Sequence, residues 1–173
     1  ATVDSQPSAT PGAGSERIPD AAIVTAHVGF QALLENELVR WMPIEVAEAW
    51  ADEYLGLDLA TVSEVRIVFG MPMGNTPPPI GIIVDLTLPY DPVGIDSSLL
   101  TREDPEMLGE RLVYRTGDRT FPVLIHSPDP KTVLLASPAM LEPVLNADGG
   151  GALAELVRDN DGGDADLQIG IAL

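Results

Sequence analysis

Apolar and polar positions alternate with a period of two over residues 23–30, which places Ile23, Thr25 and His27 on one side and Val24, Ala26 and Val28 on the other. That is the pattern of a half-buried strand. The period then lengthens. Over 31–55 the apolar residues Leu34, Leu38 and Trp41, and then Ala47, Trp50, Ala51, Tyr54 and Leu55, recur at helical spacing, opposite Glu45, Glu48, Asp52 and Glu53. Trp41 and Trp50 are placed by that spacing in the core. Pro43 cannot donate a backbone hydrogen bond, so it kinks this helix or opens a second one, and Gly56 stands where a left-handed cap ends it.

Alternation returns at 64–71, where Val65, Ile67 and Phe69 share a side, and at 80–88, where Ile82, Val84, Leu86 and Leu88 do. The proline-rich link between them reads as a long hairpin arm. An acidic, irregular stretch follows over 90–110, with a short helix starting near Asp96. Three short strands, 111–116, 121–127 and 132–137, are joined by turns brief enough to make them antiparallel neighbours. Ser137 then caps a helix with Pro138 in its first turn, directing Met140, Leu141, Val144 and Leu145 inward. A further helix is expected over 152–158 and a last strand at the end. The fold class is α+β: a mainly antiparallel sheet of about six or seven strands with helices packed on one face. Residues 1–17 read as a disordered polar linker and 18–173 as a single domain.

The first and last strands open on nearly the same phrase, Asp20-Ala21 and Asp164-Ala165, each leading into alternating apolar positions. The match suggests one unit of a longer, repeating chain, and equally two strands lying side by side in one sheet. The phrases around residues 19–24, 56–59, 132–145 and 164–169 resemble a family of exported bacterial modules of unknown function, found in planctomycete-like lineages. The resemblance implies export and a repeated module. It brings no activity and no catalytic residue.

Charge narrows the partners. Twenty-seven Asp and Glu face nine Lys and Arg, for a net charge of −18, which repels phosphate backbones and argues against nucleic acid. No run of apolar residues is long enough for a transmembrane helix. The chain has no cysteine, which removes thiol chemistry and disulfides and fits an extracytoplasmic location. The single stretch with a basic excess is 111–137, four bases against two acids. Arg111, Arg115 and Arg119 within it form a candidate contact patch for an anionic surface, against the plainer reading that they pair with the chain's own carboxylates.

Catalytic constellations are weak. His126 and Ser127 are adjacent strand residues and point to opposite faces, so they cannot easily share a proton. His27 and His126 each read as hydrogen-bonded sheet residues. Asp159, Asp161 and Asp164 are the best calcium candidates, but an EF-hand alignment puts Val157 and Gln168 at two decisive ligand positions. No cofactor or firm metal site is expected. The function read from the sequence is a non-enzymatic extracytoplasmic binding or scaffolding module, with an unknown protein or further copies of the module as partner. A carboxylate-based hydrolase acting on carbohydrate or envelope material, and a calcium-stabilised module, are the alternatives.

Overall fold

Two strands at the centre, β3 (Ile80–Leu86) and β7 (Thr132–Ala136), are apolar on both sides and can be stable only with cover on both. They lie in an eight-stranded sheet of order β4-β5-β6-β7-β3-β2-β1-β8, in which every neighbour is antiparallel. The remaining strands are β1 (Ala22–Gly29), β2 (Val62–Gly70), β4 (Glu106–Leu108), β5 (Arg111–Arg115), β6 (Leu124–Asp129) and β8 (Leu167–Ile171). The α-helices are α1 (Phe30–Glu35), α2 (Ile44–Trp50) and α3 (Pro138–Leu145). The computed structural model describes residues 18–35, 43–74, 76–118, 120–148, 151, 153–155 and 167–171. The chain is thus an α+β fold on a mainly antiparallel sheet, and the strand beyond the seven expected is the short edge strand β4.

Side-chain alternation divides the core in two. On one face Val68, Ile83, Leu124, Leu134 and Ala136 meet Met140, Leu141 and Val144 of α3, with Ile18, Leu153 and Ala154 beside them. The helix sits close there. A Cβ on Gly81 would lie 3.0–3.1 Å from Val68, Met140 and Val144 atoms, so this strand position admits glycine alone without repacking. On the other face Val84, Leu86, Ile125 and Val133 pack under Ala51, Leu55, Leu57 and Ile95. Helical cover therefore lies on both faces of the sheet, not on one, because the central strands carry apolar residues at successive positions.

The two strands with matching Asp-Ala openings do lie side by side: β1 pairs with β8 antiparallel, Ala26 opposite Ile169. Pro43 stands at the start of α2, so it opens a second helix. Residues 36–42, with Leu38 and Trp41, and most of 152–158 lie outside the described residues. The apolar face expected along 44–55 is corrected by a π-turn, Ala51–Leu55, that ends α2. Its wider winding buries Ala51 and Leu55 and leaves Ala47 exposed and Trp50 49% exposed, in contact with Tyr54 at 5.5 Å between ring centres. Ser137 does not cap α3 with its hydroxyl. That group bonds the backbone of Ile80 instead, tying β3 to the start of the helix. Leu88 is exposed beyond the end of β3, and Phe121 precedes β6 instead of belonging to it.

Gly56 ends the π-turn at φ +60°, and its Cα side is pressed against Gly94, whose backbone atoms would lie 2.8–2.9 Å from an added Cβ. Gly74 has φ +66° and open space around it. Gly74→Ala therefore reports the left-handed strain alone, about 1 kcal/mol, whereas Gly56→Ala adds a backbone collision and is expected to cost roughly 3 kcal/mol or more. Urea denaturation of the two variants beside the parent checks both figures, and equal losses would contradict the close approach of Gly94.

Candidate functional site

Two polar constellations stand out, and both follow from where alternation puts charged residues. The first is buried. Register sets Glu64 opposite Asp85, Arg66 opposite Ile83, His27 opposite Arg66 and Asp85 opposite Thr132, so all these polar side chains share the face that carries α3. That face is apolar under α3 and becomes polar one residue pair further along. Arg66 is 1% exposed, and its guanidinium pairs with Asp85 through Nη2 and lies 2.8 Å from Glu64 through Nε, off the hydrogen-bond direction. His27 Nε2 lies 3.2 Å from the same Glu64 oxygen, and Thr132 Oγ1 donates to Asp85 at 2.9 Å.

The electrostatics are those of a closed unit. Burial alone would raise the Glu64 carboxyl, but the His27 hydrogen bond and the charges of Arg66 and His27 outweigh it and hold the group below its ordinary value. A guanidinium out of water is tolerated only when such partners surround it. The arrangement spends its polar groups on one another, so it anchors four strands.

The second constellation is open. Pairing of β5 with β6 covers only Tyr114 with Ile125 and Arg115 with Leu124. Continued, it would place Val113 opposite His126 and Leu112 opposite Ser127. Instead β6 bulges between His126 and Asp129, and Pro128 within the bulge has no N–H to give either neighbour. The strands part, and a cleft of about 570 Å³ opens, lined by residues that include Tyr90, Arg111, Leu112, Tyr114, His126 and Pro128.

The His126 ring spans the gap, its Nδ1 2.8 Å from the Leu112 carbonyl. A carbonyl only accepts, so Nδ1 carries a proton and donates it to Leu112. Ser127 Oγ donates to the carbonyls of Asp129 and Thr132, away from the imidazole, as the strand geometry requires. Tyr90 donates to the Leu55 carbonyl, and burial, with Tyr114 and Asp91 nearby, pushes its phenol up so that it stays neutral.

The basic residues of the sequence are placed as follows. Arg111 lies at the cleft, its Nη1 2.5 Å from Glu142 of α3 and its Nη2 3.4 Å from Asn146 Oδ1. Arg115 pairs with Glu106 of β4 at 2.6–2.7 Å and does not line the cleft. Arg119 lies outside the described residues, as do Asp159, Asp161 and Asp164. Among the described residues no three His, Asp or Glu side chains are grouped to hold a metal ion. Sequence reasoning found Arg111 through its charge but missed Arg66, Glu64 and Asp85. Only their shared parity across β2 and β3 could have revealed them.

The Glu64 carboxyl is lower in the folded chain than the 4.5 of an ordinary glutamate, so it stabilises the fold fully above that pH and loses the contribution as pH falls through its folded value. Glu64→Gln is expected to lower the urea midpoint at pH 7 and to flatten its decline below pH 4.5, a comparison made by urea titration at both pH values. Arg66→Met takes the guanidinium from both carboxylates, leaving His27 beside Glu64 and Thr132 beside Asp85, and is expected to cost about 3–5 kcal/mol at pH 7. No protein-family model, curated protein or solved structure matches the chain.

Proposed function

We propose that the chain is a non-enzymatic extracytoplasmic binding module, and that the cleft between β5 and β6 receives an extended segment of a protein partner. The observation that carries this is the composition of the cleft. It joins two tyrosines, three prolines and Leu112, which is 57% exposed, to the guanidinium of Arg111. Flat aromatic and proline surfaces suit an extended polypeptide, and they lose little side-chain entropy when they are covered. Arginine adds a planar donor that can select a carboxylate on the segment.

The arginine lies in the one stretch with a basic excess and stands beside Glu110, the carboxylate that also lines the cleft, so an acidic segment meets less repulsion there than elsewhere on the chain. The extracytoplasmic location rests on the resemblance to exported modules. No observation favours the carboxylate-hydrolase or calcium readings over this one.

The test is selection of a phage-displayed random dodecapeptide library on the 173-residue chain, followed by fluorescence polarisation with the enriched peptides. Enriched sequences are expected to combine an acidic residue with an apolar one. Leu112→Asp and Arg111→Ala are each expected to weaken them by about tenfold or more while the melting temperature stays unchanged. No enrichment, or peptides indifferent to both substitutions, would overturn the reading.

A further inference from the structure

The cleft shares a wall with a second opening. It reaches from the side of the sheet that carries α3, where Arg111 pairs with Glu142 and Leu145 stands, to the opposite face, where Tyr90 packs against the second core cluster. Tyr90 is fixed twice, by its backbone N–H on the Pro130 carbonyl at 2.7 Å and by its phenol on the Leu55 carbonyl at 2.8 Å. A groove of about 480 Å³ adjoins the cleft, and Tyr90 is a wall of both. Gly56 and Gly94 meet in the groove, so bare backbone borders it there. Leu88 and Val93 line it at 60% and 82% exposure, and the charges among its lining residues are those of Asp58 and Asp91.

Charge decides what can join the two openings. The cleft offers a guanidinium, whereas the groove offers two carboxylates, each held by accepting a backbone N–H of its own turn. A segment that is acidic throughout is repelled by a chain of net charge −18 once it passes Tyr90. A basic residue at the groove removes that repulsion and brings the segment close to neutral. Between the two charges, covering Leu88 and Val93 favours an apolar side chain. A second copy of this chain, with 27 acids against nine bases, is a poor source of such a segment.

We propose that the partner segment held in the cleft continues across Tyr90 into the Leu88–Val93 groove and is read in one order. An acidic residue lies at Arg111, an apolar side chain between Leu88 and Val93, and a basic residue at Asp58 and Asp91. The ligand class is thus an extended polypeptide segment with separated charges of opposite sign. This inference rests on the cleft reading and adds a second subsite and a direction to it. The ring of Tyr90 stands between the two charged ends. A segment with its acid and base exchanged therefore sets like charges together at both.

Fluorescence polarisation of the peptides enriched from the dodecapeptide library tests the two subsites separately. Enriched sequences are expected to carry a base at a constant spacing from the acid, with an apolar residue between them. Val93→Asp, and Asp58→Asn combined with Asp91→Asn, are each expected to weaken binding about tenfold or more at an unchanged melting temperature. The asparagines keep the oxygen that accepts each turn's N–H and remove only the charge. A synthetic peptide with acid and base exchanged is expected to bind about tenfold or more weakly as well. Peptides that need Leu112 and Arg111 but ignore Val93→Asp and the double asparagine variant would overturn this inference and leave the cleft reading standing. So would equal binding after the exchange. Peptides indifferent to Leu112→Asp and Arg111→Ala, or no enrichment at all, would overturn both.

Discussion

Arg66 is the residue around which the middle of the sheet is arranged. Its guanidinium is out of water, and a charge in that position must be met by acids on the strands beside it. Glu64 meets it from two residues away on the same strand, Asp85 from β3, and Thr132 on β7 holds Asp85 in turn. His27 extends the group to β1. A slip of one residue in β3 would turn Asp85 to the opposite face and leave the guanidinium short of a partner. Apolar burial supplies the bulk of the driving force, but burial alone would tolerate several registers. The ion cluster selects one for four strands at once.

Much of this architecture was legible in the chain and some was not, for physical reasons that differ by element. Alternation located β1, β2, β3 and the hairpin of β6 and β7, because a strand exposed to two environments must write both into its sequence. It also suggested that the two Asp-Ala strands are neighbours. The strand β4 could not be read, since three residues hold no periodicity and take their conformation from β5. The face of α2 was misread because one wider turn at residues 51–55 changes the phase of the helix. That turn is settled by tertiary packing of Ala51 and Leu55, not by local preference. The buried charges looked like solvent-facing ones, as nothing local separates an arginine that faces water from one that faces two acids on neighbouring strands. The cleft was invisible for a similar reason. Pro128 was plain as a turn residue, but the parting of β5 from β6 depends on what lies opposite.

The acidity of the chain acquires a more local meaning in the structure. Arg111 and Arg115 each face a carboxylate, Glu142 and Glu106, and such partly exposed pairs contribute little to stability. Their positions matter more than their energies. Arg115 holds the edge strand β4 onto β5. Arg111 links β5 to α3 across the rim of the cleft, so the helix that covers one face of the core also fixes one wall of the opening. Cover on both faces is what allows this, because α3 is free to reach the sheet's side while the π-turn after α2, with Leu57 and Ile95, covers the other surface.

Pro128 gives the opening an origin in the backbone. The parting of β5 and β6 is caused by a bulge and a missing N–H, neither of which depends on which side chains line the space. Substitutions at Leu112, Tyr114 or Tyr90 can therefore change what the walls present without closing them. A lineage of such domains could diversify its recognition through those positions while inheriting an unaltered gap, much as a lock maker changes the wards and keeps the keyway.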